Sequence, residues 1–161
     1  MYKIGDKILY PMHGAGIIED IEEQSVLGRK KLYYILRMPS DGMKVMLPTD
    51  SSDEIGVRFV ISRDEGMRVL EQFRKELVPD DESWNRRHRE NLVRIKSGDI
   101  YQVVSVVKSL MYRERGKGLS TSERKLLTVS KQILTSELVL CGAAGKDDIE
   151  SIMADCIEEM F

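Results

Sequence analysis

The hydrophobic period changes once along this chain, near Val57, and the change calls for two kinds of structure. Before it, apolar residues come in short runs rich in β-branched and aromatic side chains, each closed by turn residues. After it, they recur every three or four positions, the spacing of helices with one buried face. A length of 161 residues allows one ordinary domain or two small ones. The expected class is α+β, with a β module over 1–57 and a helical domain over 58–161.

In the first part, Lys7-Ile8-Leu9-Tyr10 reads as a strand and Pro11-Met12-His13-Gly14 as the turn that ends it. A second apolar run covers Ala15 to Ile21, with Gly16 marking close backbone approach. Gly28 and Arg29-Lys30-Lys31 read as a loop. Leu32-Tyr33-Tyr34-Ile35-Leu36 is the strongest strand, Asp41-Gly42 a hairpin signal, and Met43 to Leu47 a last strand stopped by Pro48. Four or five strands in so short a stretch predict a small curled antiparallel sheet or barrel. A module this small buries little by itself and needs a neighbour.

In the second part, Ser62-Arg63-Asp64-Glu65 fits a capping box with Glu65 reaching back. Met67, Leu70, Phe73 and Leu77 follow at helical spacing, and Pro79 ends that helix. Asp80 to Ser83 offers caps for the next. Gly98-Asp99 punctuates before the stripe Ile100, Val103, Val104, Val107, Leu110, Met111. Gly116-Lys117-Gly118 is a turn. Ser120-Thr121-Ser122-Glu123 is a second capping box, opening a helix through Leu126, Leu127, Ile133, Leu134 and Leu138. Gly142 and Gly145 precede a final stripe, Ile149, Ile152, Met153, Cys156, Ile157 and Met160. The prediction is about five helices of roughly 12 to 20 residues in a compact bundle.

Function classes narrow by what the chain lacks. His13 and His88 are the only histidines and have no metal-ligand spacing. Cys141 and Cys156 are isolated in apolar helical contexts, the setting of reduced core thiols. There is no P-loop, no G-x-G-x-x-G and no G-x-S-x-G. No catalytic or metal residues and no cofactor are expected. The absence of an apolar run of about 18 residues and of a signal-peptide core at the N-terminus leads to the expectation of a soluble, cytoplasmic protein.

Charge points elsewhere. The net charge is -2, yet residues 83–117 carry 9 basic side chains (Arg86, Arg87, Arg89, Arg94, Lys96, Lys108, Arg113, Arg115, Lys117) against 3 acidic ones (Glu90, Asp99, Glu114). A local basic patch binds polyanions whatever the overall balance. At its head stands Ser83-Trp84-Asn85-Arg86-Arg87-His88-Arg89, with the chain's single tryptophan. On a helical wheel Trp84 shares a face with Leu92 and Ile95, so phase alone leaves it open as a core residue. Its place in a first turn, among acids and arginines, favours an exposed contact. Arg86, Arg87, Arg89 and Arg94 fan over the other faces. With Glu90 the one acid past the cap, they are expected to lack i,i+4 partners and to serve as phosphate ligands. Arg124 and Lys125, after the second capping box, add to the set.

Trp84-Asn85-Arg86-Arg87-His88-Arg89-Glu90-Asn91-Leu92 and Lys96-Ser97-Gly98-Asp99, read with Tyr10-Pro11-Met12-His13-Gly14, Pro48 and Gly118-Leu119-Ser120, carry a resemblance over almost the whole chain. It resembles bacterial CarD/CdnL-type transcription regulators. The resemblance implies a Tudor/SH3-like N-terminal barrel that binds the β subunit of RNA polymerase, a module shared with transcription-repair coupling factors. It implies a helical domain that contacts promoter DNA at the upstream edge of the bubble without reading sequence. Trp84 then matches the family's minor-groove wedge, with Asn85 beside it. Arg86, Arg87, Arg89 and Arg124, with Lys125, lie toward the backbone, and the open promoter complex is stabilised. The expected location is the cytoplasm, nucleoid-associated through polymerase. Met43, Lys44, Val45, Met46, Leu47 and Pro48 are the expected polymerase-pairing edge. Many relatives carry arginine where this chain has Gln24 and Met46. Two other readings remain: a stand-alone architectural nucleic-acid binder without polymerase docking, and an interaction module with Trp84 in its core.

Overall fold

In the computed structural model, which describes residues 1–39, 41–79 and 83–161, both kinds of structure form. Strands β1 (Lys7–Tyr10), β2 (Gly14–Val26), β3 (Arg29–Arg37) and β4 (Lys44–Pro48) come first. A single turn α1 (Ser52–Ile55) and a short β5 (Arg58–Phe59) follow. Helices α2 (Arg63–Lys75), α3 (Trp84–Lys96), α4 (Ile100–Gly116), α5 (Thr121–Leu140) and α6 (Lys146–Glu158) complete the chain.

The five strands form one antiparallel sheet in the order β4-β3-β2-β1-β5. The two outer strands do not pair with each other, so the sheet is open and not the closed barrel expected. β5 spans only two residues and cannot offer a second ladder to β4. Ile8, Ile18, Tyr34, Leu36, Leu47 and Val57 gather on one side of the sheet into a small core. Gly16 has the predicted close approach: a Cβ there would stand 3.1 Å from the Arg37 carbonyl oxygen.

Beyond Glu22 the β2–β3 pair extends as a two-stranded ribbon. Arg29, Lys30 and Lys31 pair there with Val26, Ser25 and Gln24 instead of forming a loop. The turn is Leu27-Gly28, both at positive φ, the geometry of the hairpin turn that matches strand twist.

Helix α4 is the centre of the second part. Ile100, Val103, Val104, Val106, Val107 and Leu110 are all buried, and α2, α3, α5 and α6 pack around them. Each such side chain contributes about 1.5–3 kcal/mol by leaving water. The phase of α2 differs from expectation. Gly66, Val69, Leu70 and Phe73 face inward, while Met67 and Leu77 are exposed. The helix ends at Lys75, before Pro79. Gly66 fits closely there: an added Cβ would lie 2.5 Å from Cys141 Sγ. Buried Lys108 donates to the carbonyls of Phe73 (2.6 Å) and Arg74 (3.0 Å) at the end of α2.

Sheet and helices share one core, since Leu9 and Ala15 pack among the helical residues. The joint between them is polar and specific. Arg58 of β5 donates two hydrogen bonds to the Glu137 carboxylate of α5 (2.6 and 2.8 Å) and two to the Gly98 carbonyl (2.8 and 3.0 Å). The Ile61 amide adds a third bond to Glu137 at 3.1 Å. Nearby, Ala15 N–H donates to Ser136 Oγ at 2.9 Å. Glu137 is fully buried, so removing Arg58 would strand its charge.

Candidate nucleic-acid interface

Two helices begin at the same place. Ser83 caps α3 by accepting from Arg86 N–H, and Ser120 caps α5 by accepting from Glu123 N–H. The two starts are tied together. Trp84 Nε1–H donates to Ser120 Oγ at 3.2 Å. Arg87 grips Glu123 through Nε (2.8 Å) and Nη2 (3.2 Å). Ser120 and Glu123 are the predicted capping box. Only its first half forms, because the Glu123 carboxylate turns to Arg87. Glu65 behaves alike, turning to Arg68 and Tyr101.

Trp84 is not a core residue. It is 42% exposed, while Ile95 on the same wheel face is buried. Placement at the first turn carries it past the apolar contacts. Its indole is stacked on the His88 ring, one helical turn on, with centroids 5.1 Å apart and planes 7° from parallel.

The surrounding charge is positive. Asn85, Arg86 and Arg89 are exposed on α3, and Arg124 and Lys125 are exposed in the first turn of α5. Two helix N-termini add unpaired amides and the positive ends of their dipoles. The expectation that the arginines lack partners is overturned for Arg86 and Arg87. Arg86 pairs with Glu90 (3.1 Å), which stands four residues on. Arg87 has a side chain only 14% exposed and is held by Glu123, a partner from another helix. Arg89 makes no ion pair among the described residues. Asp80-Asp81-Glu82 lie outside those residues.

Glu123 is buried, and burial pushes its carboxyl pKa up. The hydrogen bonds and charge of Arg87, helped by Arg113 and His88, outweigh this and hold it below the usual carboxylate range. The pair is therefore ionised at neutral pH. No group of His, Cys, Asp and Glu able to hold a metal occurs among the described residues.

Residues 68–154 match the family described as CarD, C-terminal domain, and residues 2–61 match the CarD-like/TRCF RID domain. The chain belongs to the CarD family. One relative is a protein of Bacillus subtilis (strain 168) named as a candidate transcription factor, YdeB. It is 37% identical over 155 residues, covering 94% of this chain and 99% of the relative. CarD membership makes the protein a transcription regulator and places it in no known enzyme class. The RID match supports interaction with RNA polymerase in general. No described helix is long and apolar enough to cross a membrane.

On the CarD-type β module, Lys44–Pro48 is an edge strand. Met43 (61% exposed), Lys44 and Met46 (45% exposed) face outward. Val45 packs against the small core and Leu47 is wholly buried in it, so Leu47 offers a partner only its backbone. Pro48 ends the strand and lacks an amide hydrogen. Gln24 is not on this edge. It sits on the ribbon opposite Lys31, beyond the stretch of β3 that pairs with β4, and donates to Glu22 at 3.1 Å.

Sequence reasoning missed His88 and Ser120 as supports of Trp84. The i,i+4 spacing of Trp84 and His88 was the available signal for the first. Contact with Ser120, 36 residues away, had none.

Proposed function

We propose that this protein stabilises the open promoter complex as a two-sided adaptor. The β module docks on the RNA polymerase β subunit. Backbone groups of β4 extend a strand of the partner, with Met43, Lys44 and Met46 in contact. Gln24 on the ribbon makes a second, separate contact. The front formed by α3 and α5 meets DNA at the upstream edge of the bubble. Trp84 enters the minor groove as an aromatic wedge against distorted base steps. Asn85, Arg86, Arg89, Arg124 and Lys125 approach phosphates, while Arg87 holds α3 in place through Glu123. Phosphate contacts carry no sequence information, so the effect is general to promoters. Docking on polymerase raises the effective concentration of a weak DNA contact.

The observation that carries this reading is the exposed Trp84 between two adjoining helix N-termini, ringed by arginines. The test is open-complex lifetime with and without the protein, on one unstable and one stable promoter. The reading predicts a longer lifetime, most visibly on the unstable promoter. An unchanged lifetime on both contradicts it.

A further inference from the structure

Trp84 is fixed from two directions, by a ring stacked on its face and by an acceptor for its N–H. His88 covers one face of the indole in near-parallel stacking. Its Nδ1 is buried with no hydrogen-bond partner among the described residues. What His88 gives Trp84 is the flat face of its ring. Ser120 Oγ takes the indole Nε1–H at 3.2 Å while also capping α5. The indole stays 42% exposed, with its one ring donor already taken.

We infer that His88 and Ser120 are positioning residues that pre-orient Trp84 for DNA and keep its only hydrogen-bond donor away from base edges. The inference rests on the wedge reading above and adds how the wedge is held. A tryptophan free to rotate must be immobilised when it binds, and a ring already stacked and tethered avoids most of that loss. Committing Nε1–H to Ser120 also makes the contact apolar, which suits a site that does not discriminate between sequences. Arg87–Glu123 supports the arrangement by holding the two helix starts together.

The chain has a single tryptophan, so its fluorescence reports this ring alone. The experiment compares His88→Ala, His88→Phe, Ser120→Gly and Trp84→Ala in the full chain. Glycine is tolerated at an N-cap, so Ser120→Gly removes the indole acceptor with little loss of capping. In the free protein, His88→Ala raises acrylamide quenching of Trp84 and lowers its anisotropy, and His88→Phe restores both. Ser120→Gly moves both in the same direction by less. In open-complex assays, His88→Ala reduces the lifetime gain by about two- to tenfold, and His88→Phe recovers it. Unchanged quenching and anisotropy in His88→Ala overturn the inference, whatever the lifetime does. So does failure of His88→Phe to recover a lifetime gain lost in His88→Ala while circular dichroism shows the fold intact. If Trp84→Ala leaves the lifetime at the wild-type value, the wedge reading itself fails, an outcome the fluorescence arm keeps apart.

Discussion

Glu123 and Glu137 stand fourteen residues apart on α5, about 21 Å along the helix axis. Each is buried, and each takes two hydrogen bonds from one arginine. The chemistry is the same and the consequences differ. At Glu137 the arginine comes from β5 and also binds the Gly98 carbonyl, while the Ile61 amide completes the carboxylate. That end joins sheet to helices. At Glu123 the arginine comes from α3, one turn from the exposed tryptophan, and the same stretch of α5 receives the indole N–H. That end builds a surface. One helix thus holds the proposed polymerase module at its C-terminal end and the proposed DNA contact at its N-terminal end. The distance between them is set by a rigid rod.

The largest effect belongs to the joint. Arg58→Ala leaves Glu137 buried without its charge partner and is expected to cost about 3–5 kcal/mol in denaturant unfolding. The double replacement Arg58→Met with Glu137→Met should recover much of that loss. A loss below about 1 kcal/mol for Arg58→Ala would mean that the joint is solvated and the two parts are loosely coupled.

At the other end, the lowered pKa of Glu123 gives a pH signature. Its folded-state pKa lies below the unfolded value of about 4.5. The stability it contributes is therefore complete above pH 4.5 and lost as pH falls from there through the folded value. Arg87→Met should flatten the stability profile in that acid window by removing the group that holds Glu123 ionised. An unchanged acid profile would break the parallel between the two pairs.

The polymerase side is tested by Met46→Asp, which puts a charge on the outward face of β4. It should weaken capture of the polymerase β subunit by about tenfold, or ~1.4 kcal/mol, with stability unchanged. Equal capture would remove β4 from the proposed interface. The smallest effects concern the proposed phosphate ligands. Arg86→Ala and Arg89→Ala should each lower the salt dependence of DNA binding by about one unit of log–log slope, equally across sequences. The exposed Arg86–Glu90 pair is worth only about 0.3–0.5 kcal/mol, so folding is little affected.

What the sequence made legible follows the same division between buried and exposed. The α4 stripe and the caps Ser62 and Ser120 were readable because each is a local pattern with one physical cause. The β2–β3 ribbon was not. Glu22, Glu23, Lys30 and Lys31 are exposed, so no apolar alternation marks them, and the basic run reads as a loop. Met67 and Leu77 misled for the opposite reason: they are apolar at helical spacing, yet face solvent. The open sheet could not be told from a barrel, because closure depends on whether β5 is long enough to reach β4. Within the candidate site, the tryptophan and its arginines were visible as a cluster. Their wiring was not, since Arg87 and Trp84 find Glu123 and Ser120 across 36 residues of chain.

The central claim is that Trp84 works at the surface and is not part of the core. Trp84→Ala tests it most directly, in open-complex lifetime measured beside unfolding midpoint and polymerase capture. The account predicts an unchanged midpoint and capture with most of the lifetime gain lost. A variant that still lengthens the lifetime as the wild-type protein does would contradict it.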